Sequence, residues 1–378
     1  MKTIIYSFIL IVSLQFLNAQ VIYEPFESSK LGETREIKIQ LPRNYDPEDK
    51  FEYPLIIVLD GDYLFEPMTG NVDYQSYWGE MPKCVVVGIN QNSSREDDFF
   101  YDKEMFFPAH NGALFFEFLG KELIPYIESM YNVSEFRIIV GHDLSANFLN
   151  FYLFKTLPLF RAYVSFSPEL APEMQNRLHE RLSNVTIDMF YYLATAENDV
   201  KKLHKSISEL DISLSKIDNP LFHYRYDNFE DTNHYSLVGL GIPKAMNQIF
   251  ELYKPINMKE YKEKVIDYPE GPYKYLEKKY NDIEEFYGFK KKVVENDLRA
   301  IASASKKIGD MESLRELSKL AKNEYPRSMI SAYYQGLYHE YNGNIKKAIN
   351  YYQSGLLLEQ SDYIEKDDLL DKIYELKE

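Results

Sequence analysis

The sequence predicts an α/β fold, a mostly parallel sheet with helices on both faces, followed by a small all-α helical-repeat tail. Three observations predict it. First, short continuous apolar runs alternate with amphipathic helical stretches up to about residue 252, as strands buried on both faces and joined by crossover helices require. Second, residues 137–148 read as a buried strand, a sharp turn at Gly141 and the start of a helix. Third, two similar segments near the C-terminus, marked by Gly309 and Gly343, lie 34 residues apart.

The elements follow in order. Residues 1–19 carry the pattern of a secretory signal peptide: Lys2, an apolar stretch over 4–17, and Asn18-Ala19 before Gln20. The stretch is short for a membrane span, and no cysteine follows it, so neither a transmembrane helix nor lipid attachment is expected there. The mature protein is expected to be exported, periplasmic or extracellular. Residues 21–26 and 35–41 read as an antiparallel entry pair. Residues 54–60 and 81–91 read as buried strands, and 92–104 as a long surface loop. Phe115, Phe118, Leu119, Leu123, Ile127 and Tyr131 recur at helical spacing over 112–131. Further strands are expected at 162–168, 188–195 and 223–229, and a helix over 242–252 closes a domain of residues 20–255. Residues 256–289 read as a linker and a helix, broken by Pro269-Glu-Gly-Pro272. Residues 290–378 form the repeat tail. Its second copy places Ala332, Gly336, Tyr338, Ala348, Tyr352 and Gly355 where small and aromatic residues pack a helical hairpin, and so resembles a tetratricopeptide repeat.

Composition narrows the function. A net charge of -16 argues against nucleic acid or an anionic membrane as partner, since both need clustered Lys and Arg. The one cysteine, Cys84, permits no intrachain disulfide, and its apolar surroundings read as a buried thiol. The histidines lack metal-ligand spacing and no phosphate-binding Gly-rich loop is present, so no metal or cofactor is expected.

With these pieces in place, residues 33–253 resemble the esterase family of α/β-hydrolases that includes siderophore esterases, feruloyl esterases and mycolyltransferases. The resemblance rests on Tyr53-Pro-Leu-Ile-Ile-Val-Leu-Asp-Gly-Asp62, Met81-Pro-Lys-Cys-Val-Val-Val-Gly-Ile-Asn90, Glu122-Leu-Ile-Pro-Tyr126, Ser165-Phe-Ser-Pro168 and Asp231-Thr-Asn-His-Tyr-Ser236, in that order. It implies a nucleophile elbow at residues 141–145 and a catalytic histidine at His234. It also implies a triad acid after the 188–195 strand, where Glu197 and Asp199 both stand. An oxyanion hole would be built from the backbone N–H of Leu144 and of the loop holding Gly61 and Asp62. A small-molecule ester or similar ligand would enter this pocket, and the tail offers a surface for a protein partner.

One position departs. The family elbow reads Gly-x-Ser-x-Gly, and here it reads Gly141-His142-Asp143-Leu144-Ser145. Three readings follow. Asp143 could serve as a carboxylate nucleophile or base with His234, which suits attack on alkyl carbon, because attack on an ester carbonyl would give a mixed anhydride. Ser145 could replace the missing serine, although helical spacing turns it away from the elbow tip. Or serine catalysis has been lost and the pocket binds a ligand or partner, the reading this double replacement favours.

Overall fold

The computed structural model describes residues 21–48 and 51–377, so the expected signal segment lies outside the described residues. Two compact units divide after Glu251.

The first unit is built on an eight-stranded sheet in the order β1-β2-β4-β3-β5-β6-β7-β8. These strands are β1 Val21–Ser28, β2 Glu33–Gln40, β3 Tyr53–Val58, β4 Val85–Ile89, β5 Val133–His142, β6 Ala162–Phe166, β7 Met189–Asn198 and β8 Phe222–Asn233. β1 and β2 are antiparallel additions at one edge, and all strands from β4 to β8 in the sheet run parallel. Every residue of β3 and β4 is buried, which is why their sequences show no alternation.

Alternation decides the faces instead. Leu55, Ile57, Val85, Val87, Ile139, Tyr163 and Tyr191 share one apolar cluster with the helices Asn111–Phe118, Ile124–Met130, Met174–Ser183 and Lys201–Leu214. The opposite face meets two other helices. A Cβ on Gly88 would strike the Phe65 ring of Gly61–Tyr77, and a Cβ on Gly241 of Leu237–Ile249 would strike Phe166. The sheet is therefore covered on both sides, as the apolar runs require.

Several elements differ from the sequence expectation. The helix expected over 112–131 is two α-helices joined by a π-turn at Leu119–Leu123. Its buried residues Phe115, Leu119, Leu123 and Ile127 step by four, and a wider i→i+5 turn keeps such a run on one face. The loop expected over 92–104 contains a helical turn, Arg95–Asp98, pinned by the buried Arg35–Asp98 ion pair. The last helix starts at Leu237, five residues early, because burial of Leu237, Val238 and Ile242 outweighs the missing N–H of Pro243.

The second unit is all helical. Met258–Glu260, continued by Tyr261–Val265, and Pro272–Tyr287 precede two hairpins, Glu295–Ile308 with Met311–Glu324 and Met329–Tyr341 with Ile345–Gly355; Lys366–Glu375 follows. Residues 256–289, expected as a linker and a helix, contribute Ile256, Val265 and Leu276 to the same core as Leu298, Leu317, Leu337 and Ile373. Gly309 and Gly343 both take positive φ, 76° and 73°, at the matching turns of the two hairpins.

Candidate active site

The strand order reverses around β3: β4 lies on one side of it and β5 on the other. At such a switch point the connections diverge and leave a crevice beyond the carboxyl ends of the strands. The residues that follow β3, β5, β6, β7 and β8 there are Asp60, Asp143, Ser167, Asp199 and His234.

Asp143 sits in a strained backbone conformation, φ 63° and ψ -115°. Its N–H donates to Phe166 O (3.0 Å), and its carbonyl accepts from Asn147 N–H and Glu169 N–H. The turn can close only because Gly141 has no side chain: a Cβ there would lie 2.6 Å from Ser145 C. The tight strand–turn–helix of the sequence is thus formed, with a five-residue helix, Leu144–Phe148, running into a 3₁₀ segment, Leu149–Phe154.

His234 is held by an acid. Its Nδ1 lies 2.8 Å from Asp199 Oδ1. The other carboxylate oxygen accepts from Ser167 Oγ (2.6 Å) and Thr195 Oγ1 (2.7 Å), and Val200 N–H donates to Oδ1. Burial pushes the Asp199 carboxyl up, but the bonds from His234, Ser167, Thr195 and Val200 outweigh it and hold the group well below the usual carboxylate range. Glu197 is exposed and accepts from Asp231 N–H, so the structure brings Asp199 rather than Glu197 to His234. His234 Nε2 has no hydrogen-bond partner among the described residues.

Asp143 is not joined to His234 by any hydrogen bond or ion pair among the described residues. It faces Arg95 instead, with Nη1 at 3.4 Å and Nη2 at 3.5 Å from Oδ2. Arg95 is fixed from behind. Its Nε and Nη2 donate to the two oxygens of Asp60 (2.7 and 3.1 Å), and Nη2 also donates to His142 O. Asp60 is 1% exposed, against 23% for the Asp143 side chain. Ser145 Oγ donates to Asp60 Oδ2 at 2.6 Å and accepts from His142 N–H. Ser145 is fully buried, so it is a strut of this network and not an exposed hydroxyl. The two departures from Gly-x-Ser-x-Gly are therefore linked through one ionic chain: Ser145, Asp60, Arg95, Asp143.

His142 lies between the two halves. Its Nε2 donates to His234 O (2.9 Å), and Tyr63 Oη is 3.1 Å from Nδ1 and donates to Asp60 Oδ2. Burial, then the neighbouring His234, lowers the His142 pKa to about 4, so the ring is neutral at pH 7.

The N–H of Leu144 opens the short helix and has no partner among the described residues. Gly61 and Asp62 open the helix Gly61–Tyr77, where first-turn N–H groups also lack helical acceptors. The Asp62 side chain turns to Gln91 N–H, 2.6 Å away. The side-chain roles of Arg95, Asp60, Ser167 and Thr195 have no local signal in the sequence, where residues 92–104 read only as a surface loop. Among the described residues no group of three or more His, Cys, Asp or Glu is placed to hold a metal ion, and no helix is long and apolar enough to cross a membrane.

Residues 28–212 match the family described as "Putative esterase". An uncharacterised protein from Capnocytophaga ochracea is similar along nearly its whole length, with 31% identity, a TM-score of 0.81, and coverage of 95% of this chain and 99% of that one. An IroE-like serine hydrolase from Shewanella oneidensis shares the fold at 23% identity and a TM-score of 0.60, covering 79% of this chain and 98% of its own. The enterobactin esterase of Shigella flexneri, solved in the presence of enterobactin, shares it at 17% identity and a TM-score of 0.50, over 62% and 59% of the two chains. No curated protein sequence matches.

Proposed function

The chain belongs to the putative-esterase family of α/β-hydrolases, and we propose that it is an exported, esterase-like protein in which serine ester hydrolysis has given way to ligand binding at the elbow. One observation carries this reading: the elbow side chain is a carboxylate latched by Arg95, with no bond to His234. An esterase needs two things at this point, a nucleophile whose proton the histidine accepts and room for a developing oxyanion. An ionised Asp143 has no proton to give. Its negative charge also sits on the residue next in sequence to Leu144, whose N–H would serve the oxyanion. The ligand is a small molecule, an ester or a relative of one, that presents hydrogen-bond donors to Asp143 and packs between the exposed Tyr63 and Tyr235.

The His234–Asp199 pair supports a second reading, in which Asp143 attacks alkyl carbon and His234, with Nε2 open, activates water against the resulting alkyl ester. Turnover of an epoxide or alkyl halide that disappears in Asp143→Asn would favour it.

The first reading is tested by restoring the serine. Wild-type protein is expected to leave p-nitrophenyl acetate untouched. Asp143→Ser is expected to hydrolyse it at least about 100-fold faster than wild type, because the histidine, acid and backbone donors are supplied by the rest of the fold. Adding His234→Ala should then remove about 10²–10⁴ of that gain. Wild-type hydrolysis that is lost in Asp143→Ala would overturn the binding reading. A folded Asp143→Ser protein with no activity would show that the base and acid are not catalytically assembled.

A further inference from the structure

β8 ends the sheet, and its outer edge is open. Met189 N–H donates to Leu221 O (2.8 Å), which fixes the alternation of the parallel ladder between β7 and β8. In such a ladder the N–H and C=O of one residue turn the same way, and those of the next residue turn the other way. His223, Arg225, Asp227 and Phe229 therefore turn their backbone groups to β7. Tyr224, Tyr226 and Asn228 turn theirs outward, where they have no hydrogen-bond partner among the described residues. The opposite edge strand is guarded: β1 carries Pro25, with Glu24 and Glu27 close by. β8 has neither Pro nor Lys along its 12 residues. A long edge without such guards is a template for another strand.

Two observations say what fits this edge. The first is apolar. In Lys201–Leu214, Asp211 accepts from Tyr224 Oη at 2.9 Å, and its neighbour Ile212 is 57% exposed. In Leu237–Ile249, Lys244 reaches Asp227 at 3.1 Å, and Leu240, one turn earlier on the same side, is 48% exposed. Both helices that cover the sheet here thus hold a bare apolar side chain beside the open strand. A lone added strand would leave them bare, whereas a strand that arrives with its own covering helices would bury them. A second copy of this chain brings both.

The second observation is charge. Arg225 and Asp227 lie two residues apart on one face of β8, joined at 2.9 Å, and the Arg225 side chain is 41% exposed. When β8 pairs antiparallel with a copy of itself about a two-fold axis at Tyr226, each Arg225 stands opposite the partner's Asp227. Moving the axis by one residue sets Arg225 against the partner's Arg225, or Asp227 against the partner's Asp227. Opposite charges directly across a pair of strands stabilise it and like charges destabilise it, so the strand's own charges select the axis at Tyr226. At that axis the outward backbone groups also meet, Tyr226 with the partner's Tyr226 and Tyr224 with the partner's Asn228, as the hydrogen-bonded pairs of an antiparallel ladder.

We propose that two copies of this chain associate through β8, joining their sheets into one about a two-fold axis at Tyr226.

The test is sedimentation velocity of the full chain from about 1 to about 100 µM at low salt. The mass is expected to rise from one chain to two across this range. Tyr226→Pro removes an outward N–H and leaves the bonds to β7 in place, so it is expected to stay folded by far-UV circular dichroism and to sediment as a single chain throughout. Arg225→Lys should keep the dissociation constant within about threefold, and Arg225→Asp, which sets like charges across the axis, should raise it at least about tenfold. Wild-type protein that stays a single chain at every concentration leaves the edge to a different chain or to none, and overturns the proposal. So does a dimer that persists in folded Tyr226→Pro, which places the contact on another surface, or a dissociation constant unchanged in Arg225→Asp.

Discussion

Asp60 is the most demanding residue of the site. It is a buried carboxylate, and Arg95 is the cation that meets both of its oxygens. Removing one partner of such a pair strands the other charge in a poor solvent. Arg95→Gln is therefore expected to destabilise the first unit by about 3 kcal/mol, measured by urea unfolding, while Arg95→Lys, which keeps charge but not the fork, should cost less. An unchanged urea midpoint in Arg95→Gln would contradict an ionised Asp60. His142 supplies a pH dependence. Its pKa falls to about 4 in the fold, mainly through burial. An unfolded histidine titrates near about 6.5, so between these values the unfolded chain binds a proton that the folded chain does not. Stability is then full above the upper value and falls as the pH drops through the window, by on the order of 3 kcal/mol at its lower end. Unfolding measured at pH 7 and pH 4.5 should show this slope in wild type and a flatter one in His142→Gln. Of these residues, Asp143 and His234 were legible in the sequence because each sits in a local motif. Glu197 and Asp199 could not be told apart. They stand two residues apart at the end of β7, where the pairing register shifts between Ala196 and Asn198, and such an irregularity re-aims the side chains around it.

At the scale of the element, the elbow depends on how closely two backbones approach. Gly141→Ala puts a methyl group 2.6 Å from Ser145 C, a contact with backbone that no rotamer change can relieve. The expected cost is about 2–4 kcal/mol, read as a lower urea midpoint of the first unit. A midpoint within error of wild type would mean that the turn is looser than its geometry implies. Ser145 illustrates how the second glycine position can change without loss of the turn. Its hydroxyl accepts His142 N–H and donates to Asp60, so the added side chain is satisfied on both sides. The short helix Arg95–Asp98 was hidden because four charged residues have no apolar period; it is ordered by the Arg35–Asp98 and Arg95–Asp60 pairs.

Among the described residues, buried apolar clusters line the sheet of the first unit and fill the helical second unit. A unit with buried apolar residues of its own can unfold in a step of its own. Trp78, the single tryptophan, belongs to the first unit and reports on it alone, while far-UV circular dichroism sees both. Urea titration is expected to give one tryptophan transition and a second, independent helical one, with Gly141→Ala moving only the first. Coincident transitions in wild type and variant would show that the units unfold together.

By itself the sequence determined a mostly parallel sheet with helices on both faces, the strand–turn–helix of the elbow and a helical tail, because hydrophobic period and turn residues are local properties of the chain; the helices Gly61–Tyr77, Met174–Ser183 and Lys201–Leu214 had no place in it. Only the tertiary structure decided which carboxylate meets His234 and what holds Asp143. Arg95 reaches Asp60 across 35 residues and Asp143 across 48, joined solely because β3, β4 and β5 end side by side in the parallel sheet. Charge pairing at that range follows from strand order, which no local pattern encodes.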